Sequence, residues 1–237
     1  MTHSSPATPA PESSDASLPP EPPGPIRLAG QSGRAIAFFL VVMVGVLAAD
    51  LGLKYWSFAN VAGRQVVLTD EVTRDHRGFW SKYPHDSTVV VPKVLELRLT
   101  TNTGAVFGLG KGNRVLFIAV SVVATAVIGL MFWRSPARAW GLHLSLAMIL
   151  AGALGNLYDR VLYRAVRDML HMFPGVNLPL GWAWPGGITE VWPWIFNLAD
   201  VALMVGVGLV LIATWRADAA AKAQAKPAAK PQPTEQP

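Results

Sequence analysis

Four stretches of this sequence, at 35–56, 115–133, 139–158 and 195–215, are each long and apolar enough to cross a hydrocarbon core as a helix, which takes about 20 residues. That feature leaves the chain few choices. In lipid every backbone polar group must be bonded internally, so the stretches are predicted to be helices packed against one another. Composition enters only as support: 51% of the 237 residues are apolar and 15% charged, although both ends are polar. Trp56, Trp133, Trp140, Trp194 and Trp215 fall at the ends of the stretches, where an amphipathic ring prefers the headgroup level. The chain has no cysteine, which excludes disulfides, thiolate nucleophiles and cysteine-ligated metal sites. Its net charge of +5 is spread around the apolar runs rather than along one stripe, which argues against nucleic acid as a partner.

The basic residues set the expected orientation. Arg134 and Arg138 occupy the short turn between spans two and three. Arg27 and Arg34 precede span one, and Arg216, Lys222, Lys226 and Lys230 follow span four. The positive-inside bias therefore puts both termini and that turn in the cytoplasm, with residues 57–114 and 161–194 on the other side. Arg160, Arg164 and Arg167 oppose this assignment, but the reverse topology misplaces more charges. Residues 1–34, rich in Pro, Ser and Ala, and residues 217–237, rich in Ala, Lys and Pro, are expected to be disordered cytoplasmic tails around a single domain at 35–216. In segment 57–114, Leu95-Glu96-Leu97-Arg98-Leu99-Thr100 alternates strictly, the period of a half-buried strand. The expected fold is an α-helical membrane protein of four transmembrane helices with a small periplasmic β-sheet between helices one and two. Residues 70–86 read as an insertion, and the Trp-rich residues 175–194 as an interfacial flap.

Ionisable groups at membrane depth cost roughly 2.5–3.5 kcal/mol each on insertion scales, so each needs a partner or a purpose. Asp50 and Lys54 share a helix face and fit a local ion pair as well as a functional one. Asn102, in Thr101-Asn102-Thr103-Gly104, fits a turn entering span two. Asn156, Asp159 and Arg160 close span three, where Asp159 and its neighbour Arg160 fit a structural pair. Ala151, Gly152 and Gly155 give the same span a small face for close packing. Asp168 reads by itself as an exposed loop carboxylate, and Asp200, with Asn197 three residues before it, as a helix cap. Taken together, several carboxylates and three asparagines converge on one membrane face.

Other chemistries lack their residues. The Gly30-Gln31-Ser32-Gly33 match lies before span one, where an intramembrane serine nucleophile could not work. No histidines stand at metal-ligand spacing, and no metal or other cofactor is expected. Two classes stay open on the residues alone. One is an intramembrane hydrolase. The other is a non-enzymatic four-span protein such as a proton-coupled transport component. Acids confined to the outer ends of the spans, with span two uncharged, argue against a relay across the membrane.

These motifs, in order over about 35–216, resemble the bacterial lipoprotein signal peptidases (signal peptidase II). Asp50-x-x-x-Lys54 looks like the family's first box, with Asp50-Leu51 where Asp-Gln is usual. Asn102-Thr103-Gly104-Ala105-Val106-Phe107 looks like the second, Gly152 to Arg160 the third, and Phe196-Asn197-Leu198-Ala199-Asp200 the last. The resemblance implies an intramembrane aspartyl endopeptidase that cleaves prolipoproteins before the diacylglyceryl-modified cysteine, with an inactive lipoprotein-binding relative as the alternative. It implies Asp168 and Asp200 as the catalytic pair. Asn102, Asn156, Arg160 and Asn197 would line or brace the site, with Asp50, Lys54 and Asp159 as supporting polar positions. Lipid-modified prolipoproteins and membrane lipids are the expected partners of a monomer in the bacterial cytoplasmic membrane, its site near the outer face. The family usually has Val before the first catalytic aspartate, whereas Arg167 stands here. An adjacent arginine would depress the carboxyl's pKa unless its side chain points away.

Overall fold

The computed structural model describes residues 27–69, 72, 76–104 and 113–225. The outer parts of both expected tails, part of the 70–86 insertion and Ala105 to Phe107 of the second box lie outside the described residues. Among the described residues, four helices are long and apolar enough to cross a membrane: α1 (Gly33–Asn60), α3 (Arg114–Arg134), α4 (Trp140–Tyr163) and α5 (Leu198–Ala225). A short helix, α2 (His76–Lys82), follows α1. Side-chain caps fix two of the helix starts. Ser32 Oγ accepts from the Ala35 N–H and Asn113 Oδ1 from that of Leu116, each satisfying a donor the helix cannot. The chain continues as helix past Arg216 to Ala225, into the residues expected to begin the C-terminal tail. Its Ala-rich run there has high helix propensity and simply extends the span.

Helix α4 is the centre of the bundle and packs against α1, α3 and α5. Its small residues make this possible. A methyl at Gly155 would sit 2.5 Å from Asp50 Oδ2 on α1, and one at Gly206 on α5 would sit 2.8 Å from the Ser145 carbonyl on α4. The small face read from Ala151, Gly152 and Gly155 is thus the contact surface with α1 and α5. One apolar cluster, including Phe39, Phe132, Leu146 and Leu150, fills the end of the bundle where the chain enters α1. There the Ala29 N–H donates to the Ser135 carbonyl and the Ala137 N–H to that of Arg27, strapping the segment before α1 to the turn between α3 and α4.

The opposite end carries a four-stranded antiparallel sheet in the order β1 (Thr88–Val91), β2 (Leu95–Asn102), β3 (Val166–Met172), β4 (Ile195–Phe196). The alternating residues at 95–100 are β2, as read. However, the sheet is not built between helices one and two alone, since β3 comes from the segment 161–194 that was expected to be loop and β4 from the first residues of the expected span four. Helix α4 ends at Arg164 in the left-handed conformation, φ 63°, which turns the chain into β3. A second apolar cluster, with Phe58, Phe79, Leu97, Leu99 and Met169, sits between the sheet, α1 and α2.

Candidate site at the mouth of the bundle

The site is assembled where α5 begins. Asn197 is its N-cap: Asn197 Oδ1 accepts from the Asp200 N–H at 3.1 Å, while Asp200 Oδ2 accepts from the Asn197 N–H at 3.2 Å. This reciprocal arrangement is a capping box with an aspartate at the third position. Asp50 reaches across from α1 and accepts the Ala199 N–H at 2.9 Å, satisfying another donor of the same helix end. Asp200 therefore does help to cap its helix, but only one of its oxygens is used for that.

The other oxygen leads into a chain of amides. Asp200 Oδ1 accepts from Asn156 Nδ2 at 2.8 Å, and Asn156 Oδ1 accepts from Asn197 Nδ2 at 3.2 Å. Asn197 Nδ2 also donates to Asp168 Oδ1 at 2.6 Å. One asparagine thus touches both aspartates, with its backbone and side chain respectively. Asp168 is fully buried on β3, opposite Thr100 of β2. It is not the exposed loop carboxylate that its surroundings in sequence suggested. Burial, and then the negative charge of Asp200, push its carboxyl well above the ordinary aspartate pKa, although Asn197, Lys54 and Asn102 pull the other way.

Beneath the aspartates lies a buried ion network. Lys54 Nζ is 2.8 Å from Asp50 Oδ2, 3.2 Å from Asp159 Oδ2 and 3.3 Å from Asn156 Oδ1. Asp159 also accepts from Arg167, by the backbone N–H at 3.0 Å and the guanidinium at 2.8 and 3.0 Å. Asp159 therefore pairs with Lys54 and Arg167, not with adjacent Arg160, because consecutive helix positions face different directions. The same geometry answers the question of Arg167. Successive strand residues point to opposite faces, so its side chain turns away from Asp168 to Asp159 and the faces of Tyr163 and Phe58.

Arg160 instead reaches the other side, donating to the Gly104 carbonyl at 3.1 Å and lying 4.8 Å over the Phe117 ring. Counting groups, Asp50, Asp159, Asp168 and Asp200 face Lys54, Arg160 and Arg167. The cluster is electrically balanced when one acid carries a proton, and the upward shift at Asp168 favours that state.

Asp168, Asp200, Asn102, Asn156 and Arg160 line one cavity of about 280 Å³, walled by Phe117, Val120, Ser121 and Ala124 of α3 and by Leu203 of α5. Asn102 sits at its rim, with Oδ1 accepting the Gly104 N–H at 2.9 Å. All nine residues singled out from the sequence thus come to this end of the bundle. Asp168, Asp200, Asn102, Asn156 and Arg160 face the cavity, Asn197 holds the two acids, and Asp50, Lys54 and Asp159 lie behind. Sequence reading missed Arg167 as the partner of Asp159, and the α3 wall, whose uncharged residues gave no signal. No cluster of three or more His, Asp or Glu side chains suited to a metal is present among the described residues.

A family model for signal peptidase (SPase) II matches residues 42–216. Curated relatives are lipoprotein signal peptidases. That of Desulfitobacterium hafniense is 35% identical over 127 residues, covering 54% of this chain and 73% of the relative. That of Latilactobacillus sakei is 35% identical over 175 residues, covering 74% and 91%. The fold is similar to a bacterial membrane enzyme solved by the in meso method at 2.3 Å, with TM-score 0.56 and 23% identity over 83% of this chain and 95% of the other.

Proposed function

This chain belongs to the signal peptidase II family of aspartic peptidases, and from that premise we propose that it removes signal peptides from prolipoproteins, cutting before the diacylglyceryl-modified cysteine with Asp168 and Asp200 as the catalytic pair. The observation that carries this reading is that the two acids, remote in sequence, line one cavity and are held by a single asparagine. Hydrolysis of an amide without metal or covalent intermediate needs a base for the water and an acid for the departing amine. Asp200 takes the water's proton as its oxygen attacks the scissile carbonyl. Asp168, kept neutral by burial beside a second acid, delivers its proton to the leaving nitrogen. Arg160 and Asn102, at the cavity edge, orient the peptide and offset charge developing on the carbonyl oxygen. Asn156 and Asn197 fix the carboxylates, while Asp50, Lys54 and Asp159 hold the helix ends in place. The apolar wall of α3 leaves room for acyl chains to stay in lipid.

The enzyme is a monomer in the cytoplasmic membrane with both termini inside, and with the sheet and site at the outer face. In support of this topology, Arg134 and Arg138 lie at the end of the bundle remote from Asp168 and Asp200, while Arg160 and Arg167, two of the three contrary charges, have partners within the site. Asp168→Asn and Asp200→Asn are each expected to abolish cleavage of a lipid-modified precursor by purified protein while leaving the fold intact. Normal turnover by either variant would remove that residue from the pair.

A further inference from the structure

The connection between β3 and β4 is a structured hairpin whose exposed tip matches nothing in the site. Its arms are joined by the Val191 N–H to the Val176 carbonyl at 2.8 Å and the Leu178 N–H to that of Thr189 at 2.7 Å. The Trp184 N–H closes the tip on the Ile188 carbonyl at 2.8 Å, around Gly186 and Gly187 at φ 95° and 78°. Trp184, Trp192 and Trp194 stack edge to face, with Trp184–Trp194 and Trp192–Trp194 centroids 4.8 and 5.4 Å apart, and so stiffen its base. Yet Leu180 is 91% exposed and Trp182 70%, with Ile188 and part of Trp184 also open. Leu180 holds a left-handed φ of 59°, a conformation in which a leucine is strained, so the backbone keeps an apolar side chain pointing outward.

We propose that residues 176–191 form a paddle seated in the headgroup layer of the bilayer beside the site. Three observations select lipid over a protein partner. The paddle grows from the sheet at the end of the bundle where α1 and α4 also expose Tyr55, Trp56 and Tyr158, ring types that favour the headgroup level. From 173 to 195 the only ionisable residue is Glu190. The exposed set is Trp, Leu and Ile on a backbone whose arms bond each other, which suits the boundary between headgroups and acyl chains. With no cation in the paddle, seating does not need anionic lipid. The inference does not depend on peptidase activity.

The cysteine-free chain allows a direct test. Leu180→Cys and Trp182→Cys, each in the full chain and carrying an environment-sensitive fluorophore, are reconstituted in phosphatidylcholine vesicles. Both labels should lose most of their emission to lipids spin-labelled near the headgroup, little to lipids labelled deep in the acyl chain, and little to aqueous iodide. Adding phosphatidylglycerol should change none of this. Strong iodide quenching without lipid quenching would overturn the proposal, as would protection from both quenchers, which is the signature of a paddle folded onto the protein.

Discussion

Asp159 is the residue whose removal separates scaffold from chemistry. It is fully buried and accepts from two cations on different elements, Lys54 of α1 and Arg167 of β3, as well as from a backbone N–H. Asp159→Asn preserves shape but removes the charge. Lys54 would keep Asp50, whereas Arg167 would be left buried with no carboxylate against it. Breaking a buried pair this way costs about 3–5 kcal/mol. For a domain of this size a loss of 1 kcal/mol lowers the melting temperature by about 2–4 °C, so the variant should melt roughly 6–20 °C lower. Thermal unfolding in detergent, followed through tryptophan emission, would measure it. Adding Arg167→Met should recover part of the loss, because the orphaned charge is gone and the two effects share one contact. The reasoning fails if Asp159→Asn melts like the parent yet loses turnover, for then its carboxylate acts in the reaction rather than beneath it.

The other predictions concern packing and pH. Gly155→Ala places a methyl against Asp50 Oδ2 and should cost about 1–3 kcal/mol, visible as reduced thermal stability with less folded protein in the membrane. Because the folded pKa of Asp168 is raised, its contribution to stability is complete below the unfolded value near ~4 and is lost as pH rises through the folded value. Asp168→Asn should therefore gain stability relative to the parent as pH rises, and a melting difference that stays flat with pH would refute this. Glu96 behaves in the opposite sense. Burial raises its pKa, but hydrogen bonds from His171 and Ser87 outweigh it and leave the carboxyl below its ordinary value. The stability that Glu96 adds is present above the ordinary glutamate pKa and lost on acidification through the folded one, so the melting gap between the parent and Glu96→Gln should narrow as pH falls.

The spans were legible because a run of some twenty apolar residues has no other stable fate in lipid, and β2 because its alternation declares one buried face. Strand β3 was not. Val166–Met172 places Arg167, Asp168 and His171 in the interior, and each is tolerated only because of a partner on another element: Asp159, eight residues back on α4, and Asn197 and Glu96, remote in sequence. A reading confined to neighbours sees charges and infers a loop. The Asp50–Lys54 pair was visible from its four-residue spacing, but the third member, Asp159, comes from another helix. Likewise Asp159 and Arg160 looked like a pair by adjacency, and only the helix geometry sends them to opposite sides.

The amide of Asn197 cannot be turned round. Its oxygen is committed to the Asp200 N–H, so its nitrogen must face Asp168, and Asp168 Oδ1 is thereby reserved for receiving a hydrogen. A proton taken up by Asp168 would consequently sit on Oδ2. A single side-chain orientation, locked by the first turn of a helix, gives an otherwise symmetric carboxyl group a handedness, with one oxygen anchored to Asn197 and the other not.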